Sequence, residues 1–250
     1  MTNEEKLEQF LKMVEGSNNI VFFGGAGVST ESGIPDFRSV DGLYNQEYDY
    51  PPEEIISHSF FMHDPEEFYR FYRKKILLDG IEPNITHIKL AELEKKGKLK
   101  AIVTQNIDGL HQKAGSRIVH ELHGGMLSLT CQKCGGQVPA SALDAQLRSG
   151  KVVRHEPTCM GVMKPDIVFY GEMLPQDALM KSYKAMTQAD LVLVLGTSLA
   201  VYPAAGLPTE RSRDAELVII NRTPTPLDGE ATLVFHESIG EILPAAVKGI

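Results

Sequence analysis

With 250 residues, 42% of them hydrophobic and 23% charged, the chain has the composition of a soluble globular protein and enough length to bury a sizeable core. Its formal net charge of -8 argues against nucleic acid as the main ligand, because phosphate contacts need clustered Lys and Arg; basic partners fit better. No apolar run approaches the length of a membrane span, and the acidic start "MTNEEKLEQF" has no basic segment followed by an apolar one, so a cytoplasmic protein without membrane contact is expected.

In chain order, the periodicity predicts an amphipathic helix over 4–15 and a buried strand over 20–24. The strand runs into "GGAGVSTESGIPDFRS", where Gly24, Gly25 and Gly27 permit a tight turn and a close backbone approach to a ligand. The usual dinucleotide fingerprint wants a third glycine where Thr30 stands, and an acidic residue about twenty positions on that is missing. Pro35 blocks a long helix, and Asp36, Phe37 and Arg38 crowd charge and a ring beside the turn. Residues 36–82 are rich in aromatic and acidic side chains, with a helix starting at Asp64-Pro65. Asn84 as cap and Gly97 as stop bracket a further helix.

Strands follow over 99–104 and 117–122, and residues 124–163 then carry all three cysteines. Further strands are expected at 165–169, 190–195, 216–220 and 232–235, with helices over 176–188 and 238–249. Runs such as "LVLVLG" and "LVII" are continuously apolar, which suits parallel strands covered on both faces. The expected fold is a doubly wound parallel α/β sheet. Segments 1–35, 83–123 and 164–250 would build it, and segments 36–82 and 124–163 would form a small second domain.

Polar residues gather where these strands end. "TQNIDGLH" puts Gln105, Asn106 and Asp108 into one turn, suited to ribose hydroxyls and a carboxamide. "HELHGG" offers His120 and His123, and the two following glycines leave room for a substrate beside His123, whose ordinary pKa suits proton abstraction. Gly196, Thr197 and Ser198 in "GTSLAVYP", and Asn221 in "INRT", can reach phosphate or ribose oxygens. Five polar loops at the ends of buried strands point to one shared site.

The blocks "GAGVSTESGIPDFR", "TQNIDGLH", "LHG", "KPDIVFYGE", "GTSLAVYP" and "IIN", in this order over roughly residues 20–240, resemble the signature of the sirtuins, NAD-dependent protein lysine deacylases. The resemblance implies a Rossmann-type domain, and a smaller domain made of a zinc-ribbon-like module and a helical module. NAD would be the co-substrate, and acyl-lysine proteins or peptides the partners.

By the same resemblance, Gly25, Ala26, Gly27, Thr30, Asp36, Phe37 and Arg38 would line the nicotinamide-ribose and diphosphate, with Phe37 shielding the reactive carbon. Gln105 would hold the ribose, Ile107 and Asp108 the carboxamide, and Asn106 a structural water, with Asn106 and Asp108 joining His123, the general base, in the catalytic set. Gly196, Thr197, Ser198, Asn221 and Ile239 would bind the adenosine half. Val168, Phe169, Tyr170, Gly171 and Glu172 on one side, and Leu199, Val201 and Tyr202 on the other, would sandwich the substrate as a strand.

ADP-ribosyl transfer or NAD hydrolysis shares the first bond cleavage and stays open. An NAD-sensing module without turnover would not need His123, and a dehydrogenase would need the missing acidic residue.

One block departs from the sirtuin pattern. Cys131 and Cys134 form a C-x-x-C pair, but the second pair would need a cysteine at Glu156 to go with Cys159. Either His155 or Glu156 supplies a fourth zinc ligand, or the site is lost and zinc with it. In "FYRFYRKK", Tyr69 is followed three positions on by Tyr72 rather than by the arginine of succinyl-removing relatives. Arg73 comes one residue late, about 100° around a helix, so acetyl is expected over succinyl.

Overall fold

The computed structural model of the protein describes residues 1–36, 48–77 and 79–250. Helix α1 (Asn3–Gly16) leads into β1 (Ile20–Gly24). Its start is fixed by a capping box: Thr2 Oγ1 accepts from Glu5 N at 3.2 Å, and the Glu5 carboxylate accepts from Thr2 N at 2.7 Å. Three short helices, α2 (Pro52–Ile55), α3 (His58–His63) and α4 (Pro65–Phe71), follow, and α4 continues as a π-helical turn at Tyr72–Ile76. Then come α5 (Ile85–Lys95), β2 (Leu99–Thr104), α6 (Leu110–Lys113) and β3 (Val119–Glu121). The middle of the chain forms β4 (Gly124–Cys131), β5 (Gln137–Pro139), α7 (Asp144–Arg148) and β6 (Met163–Ile167). The chain closes with α8 (Gln176–Gln188), β7 (Leu191–Leu195), β8 (Glu216–Ile220), β9 (Leu233–Phe235) and α9 (Ile239–Ala246).

Six strands make one sheet in the order β3-β2-β1-β7-β8-β9, every neighbouring pair parallel. All five residues of β1 are buried because its side chains alternate between two cores. Ile20 and Phe22 pack with Phe10, Leu90 and Leu243 of α1, α5 and α9, while Val21 and Phe23 pack with Met186 of α8 and Leu207. The strand order reverses between β1 and β7, the place in such a sheet where a crevice opens at the carboxyl ends of the strands.

The strand expected over 165–169 lies at Met163–Ile167 and belongs to a second sheet. There β5-β4-β6 pair antiparallel, Cys131 opposite Met163 and Leu129 opposite Pro165. This sheet shares a core with the helices of 52–77. Phe61, Phe68, Tyr69, Phe71, Tyr72 and Phe169 pack with Leu129, Leu147, Val153 and Met163, and the Phe61 and Phe68 rings meet edge to face at 5.0 Å. Among the described residues no helix is long and apolar enough to cross a membrane.

Candidate active site

The crevice is a cleft of about 1210 Å³. Its walls come from the loops after β1, β2, β7 and β8, from residues 167–174, and from Ile239 at the start of α9. The glycines that open the first loop bring two loops together. Gly27 N donates to Gly196 O at 2.9 Å, and a Cβ on Gly27 would stand 2.8 Å from Gly196 Cα. Gly196 has φ +59°, and a Cβ on it would stand 2.5 Å from Val28 N. The glycine pattern thus reflects the contact between the β1 and β7 loops as well as access for a ligand. Asn84, the cap of α5, braces the same loop: its Oδ1 accepts from Thr86 N at 3.0 Å, and its Nδ2 donates to Val28 O at 2.8 Å and to Ser32 Oγ at 3.0 Å.

Polar groups at the floor are linked through Ser29. Its hydroxyl donates to Asp108 Oδ2 at 2.7 Å and accepts from Asn106 Nδ2 at 3.1 Å, while Asp108 Oδ1 accepts from Leu110 N at 2.9 Å. Ser29 is the residue that reading the sequence missed; it sits inside the glycine-rich block, but only the fold brings it to Asn106 and Asp108. Gln105 Nε2 donates to Thr197 Oγ1 at 3.0 Å, which ties the β2 loop to the β7 loop.

His123 stands at the cleft wall between β3 and β4. Its Nδ1 lies 3.0 Å from Gln105 O. A carbonyl can only accept, so Nδ1 carries the proton and Nε2 keeps its lone pair. Burial pushes the imidazole pKa down, against the pull of the Gln105 carbonyl, so the ring is neutral at neutral pH. His120 is on β3, outside the cleft lining, beside Lys181 and Asp177 of α8.

The segment after β6 is held against His123. Val168 N donates to His123 O at 2.8 Å, Tyr170 N to Ile56 O at 3.0 Å, and His58 N to Tyr170 O at 3.1 Å. The Glu172 carboxylate accepts from Phe169 N at 2.8 Å, pairs with Lys164 Nζ at 3.0 Å and meets His58 Nδ1 at 2.8 Å. Burial raises its pKa, and these three partners together outweigh that and hold it below the ordinary carboxylate value. Glu172 therefore shapes this loop with both its oxygens.

Of the expected residues, Gly25, Ala26, Gly27, Thr30, Asp36, Gln105, Asn106, Ile107, Asp108, His123, Gly196, Thr197, Ser198, Asn221 and Ile239 line the cleft, as do Val168, Phe169, Tyr170, Gly171, Glu172, Val201 and Tyr202. Leu199 does not. It is buried in the core under α8, with φ +52°, because the loop turns there and sends its side chain inward. Phe37 and Arg38 lie outside the described residues. Arg73 faces away from the cleft, its Nη1 donating to Lys151 O at 2.9 Å and its guanidinium lying 5.8 Å from the Tyr69 ring centre.

A second cluster lies at the end of the small sheet where its central strand stops at Cys131. Cys131 Sγ and Cys134 Sγ are each 3.5 Å from Cys159 Sγ, and His155 Nδ1 is 3.2 Å from Cys134 Sγ and 3.6 Å from Cys159 Sγ. The four ligand atoms lie within 4.8 Å of one another. Disulfide sulfurs would be about 2.0 Å apart. Tetrahedral zinc with Zn–S bonds of about 2.3 Å spaces its sulfurs by about 3.8 Å, so the donors fit that ion. Gly161 makes room for them, since a Cβ there would stand 2.6 Å from Cys131 Sγ. Glu156 is exposed and lies outside the cluster.

The family model described as Sir2 family matches residues 25–203. The chain belongs to the Sir2 family. It is 48% identical over 243 residues to an NAD-dependent protein deacetylase of Clostridium perfringens, covering 96% of this chain and 98% of that one. A Staphylococcus aureus NAD-dependent protein deacetylase is 41% identical, with 95% and 96% covered. Among solved structures, Sir2 with a p53 peptide and NAD+ superposes with a TM-score of 0.84 at 41% identity, covering 95% of each chain. Sir2 bound to acetylated peptide gives 0.85 at 39% identity, again covering 95% of each.

Proposed function

We propose that this member of the Sir2 family is an NAD-dependent protein lysine deacetylase, moving the acyl group of an acyl-lysine to ADP-ribose as nicotinamide leaves. The observation that carries the reading is His123, neutral, held by its Nδ1 proton on the Gln105 carbonyl, on a wall that also bears the Gly25–Gly27 and Gly196–Ser198 loops. NAD bound in the cleft supplies the ribose carbon that accepts the acyl oxygen.

This chain's residues do the rest. His123 Nε2 takes a proton from a ribose hydroxyl so that this oxygen can attack the acyl carbon. Asn106 and Asp108, braced through Ser29, order the nicotinamide end, with Asp108 and Ile107 at the carboxamide. Gly25, Ala26, Gly27, Thr30, Asp36, Phe37 and Arg38 bind the nicotinamide-ribose and diphosphate. Gln105 binds the ribose, and Gly196, Thr197, Ser198, Asn221 and Ile239 bind the adenosine half. The substrate runs as an extended strand between 168–172 and 200–202 and is read mainly through its backbone.

Segments 1–35 and 83–123 and the chain after Ile167 form the NAD-binding domain. The boundary follows Ile167 because β6 pairs with β4 in the smaller sheet. The remainder, including 36–82, forms the small domain. Cys131, Cys134, Cys159 and His155 would hold zinc, which would tie the turn after β4 to the loop 153–162.

Incubation with NAD and an acetyl-lysine peptide, following nicotinamide, free lysine and acyl-ADP-ribose together, should give the three products in equal amounts. Full-rate deacetylation without NAD would overturn the reading. ADP-ribose transferred to protein, with the peptide still acetylated, would favour ADP-ribosyl transfer.

A further inference from the structure

The substrate wall at 168–172 is gripped by a side chain that lies in none of the sirtuin-like sequence blocks. His58, at the start of α3 in the helical part of the small domain, reaches the wall twice. Its backbone N donates to Tyr170 O at 3.1 Å, next to the bond from Tyr170 N to Ile56 O at 3.0 Å, so Ser57 and Tyr170 pair as in a parallel bridge. Its ring Nδ1 lies 2.8 Å from Glu172 Oε1. Glu172 is held ionised by its partners and can only accept, so Nδ1 carries the proton and donates it. His58 is not among the residues lining the cleft, and whatever it does for a substrate it does through the wall.

The far side of this contact is fixed by the core. Glu172 Oε2 accepts from Phe169 N at 2.8 Å and pairs with Lys164 Nζ at 3.0 Å. Lys164 is buried, donates to Ile167 O at 2.9 Å and stands 4.0 Å from the centre of the Phe169 ring. That ring in turn packs on Phe61 and Phe68, with centroids 5.6 and 5.1 Å apart. One oxygen of Glu172 is thus tied to β6 and to the wall's own backbone, and the other is tied across to the helices. An isolated surface ion pair contributes little, because water screens it and two long side chains lose their freedom. Here the Glu172 side chain is 23% exposed and that of Lys164 10%, and both are already held, so the imidazole alone is left to be ordered.

We propose that His58 is a positioning residue for the substrate wall: through Tyr170 and Glu172 it holds residues 168–172 in the extended course that an acyl-lysine peptide pairs with, and so sets affinity for the peptide without taking part in the chemistry. The proposal rests on the deacetylase reading above.

The test is a comparison of His58→Ala with His58→Asn, whose amide nitrogen can take the place of Nδ1 as donor to Glu172. With acetyl-lysine peptide and NAD varied in turn, His58→Ala should raise the KM for peptide about fivefold, roughly the net worth of one hydrogen bond. Its kcat and its KM for NAD should stay within about twofold of the natural protein. His58→Asn should restore most of the peptide KM. A contact of purely structural value would lower thermal stability in His58→Ala and leave the peptide KM alone, and that result overturns the proposal. So does a loss in His58→Asn as large as in His58→Ala, or a fall in kcat at unchanged KM. Calorimetric titration of the same peptide into each protein without NAD reads the wall independently of turnover. If the natural protein binds the peptide but releases no lysine with NAD, the deacetylase reading fails while the fivefold difference in affinity can still be found or refuted; if it binds no acetyl-lysine peptide, both are overturned.

Discussion

The six-stranded sheet and the small three-stranded sheet are held together by different means. In the large sheet β1 and β7 are buried along their whole length, so each is fixed by apolar contact on both faces and by parallel partners on both edges. In the small sheet β5 has two of its three residues exposed, and the core behind it is a set of aromatic rings from the short helices. At the end of its central strand three thiols and an imidazole converge. The large sheet holds its loops in place through packing on both faces, whereas the small one packs on one core and carries a cluster of metal-ligand type at one end. At their junction Val168 N donates to His123 O, which fixes the segment after β6 beside the imidazole.

The largest expected effect separates the chemistry from both cores, at His123. His123→Ala is expected to lower kcat on the order of a hundred- to ten-thousand-fold, the usual cost of losing a general base, with NAD binding and thermal stability retained. A matching fall in NAD affinity, read by calorimetry, would make His123 a binding residue instead. The converse is His155→Ala. It leaves the cleft untouched and should abolish stoichiometric zinc, measured by elemental analysis, lowering the stability of the small region by more than about 2 kcal/mol. Limited proteolysis should then cut within 131–162 before it cuts the large sheet. Full zinc in this variant would move the fourth ligand to Glu156.

A smaller effect belongs to the large sheet. His111 sits against Phe22 and against His87, with ring centroids 5.3 and 4.8 Å apart, and neither of its ring nitrogens is hydrogen-bonded. Burial pushes His87 down to about 4, against the pull of Asp108; burial, with His87 close by, pushes His111 down to about 3. Between those values and the ordinary 6.5, the unfolded chain takes up protons that the folded one refuses. Their contribution is therefore full above about pH 6.5 and is lost as the pH falls, by about 1.4 kcal/mol per pH unit for each histidine. Denaturant unfolding at stepped pH measures the slope, and His111→Asn should reduce it; an unchanged slope would assign the acid sensitivity elsewhere.

The smallest expected effect is at Arg73. Because its guanidinium is spent on the Lys151 carbonyl, Arg73→Met should leave the preference for acetyl over succinyl unchanged. Lys75, on the same π-helical turn, does line the cleft, and Lys75→Met is the control. Succinyl turnover equal to acetyl and abolished by Arg73→Met would show that the turn presents Arg73 to the substrate.

Where a segment's burial is uniform, the sequence alone was enough to read it. The runs at 20–24, 99–104, 191–195 and 216–220 are apolar because both faces are covered, and the cap Asn84 is local chemistry, complete within a few residues. The polar residues that end those strands were equally legible, since a strand's end and its loop are adjacent in the chain. Tertiary structure decided what depends on contacts between distant segments. It assigned β6 to the antiparallel sheet, turned Leu199 into the core, and gave the glycines of the first loop a second loop as neighbour. It brought Ser29 between Asn106 and Asp108, and His155 rather than Glu156 to the thiols. The physical reason is the same in each case. Which of two neighbouring side chains faces a site depends on a rotation of the backbone, and that rotation is set by packing against residues far away in sequence.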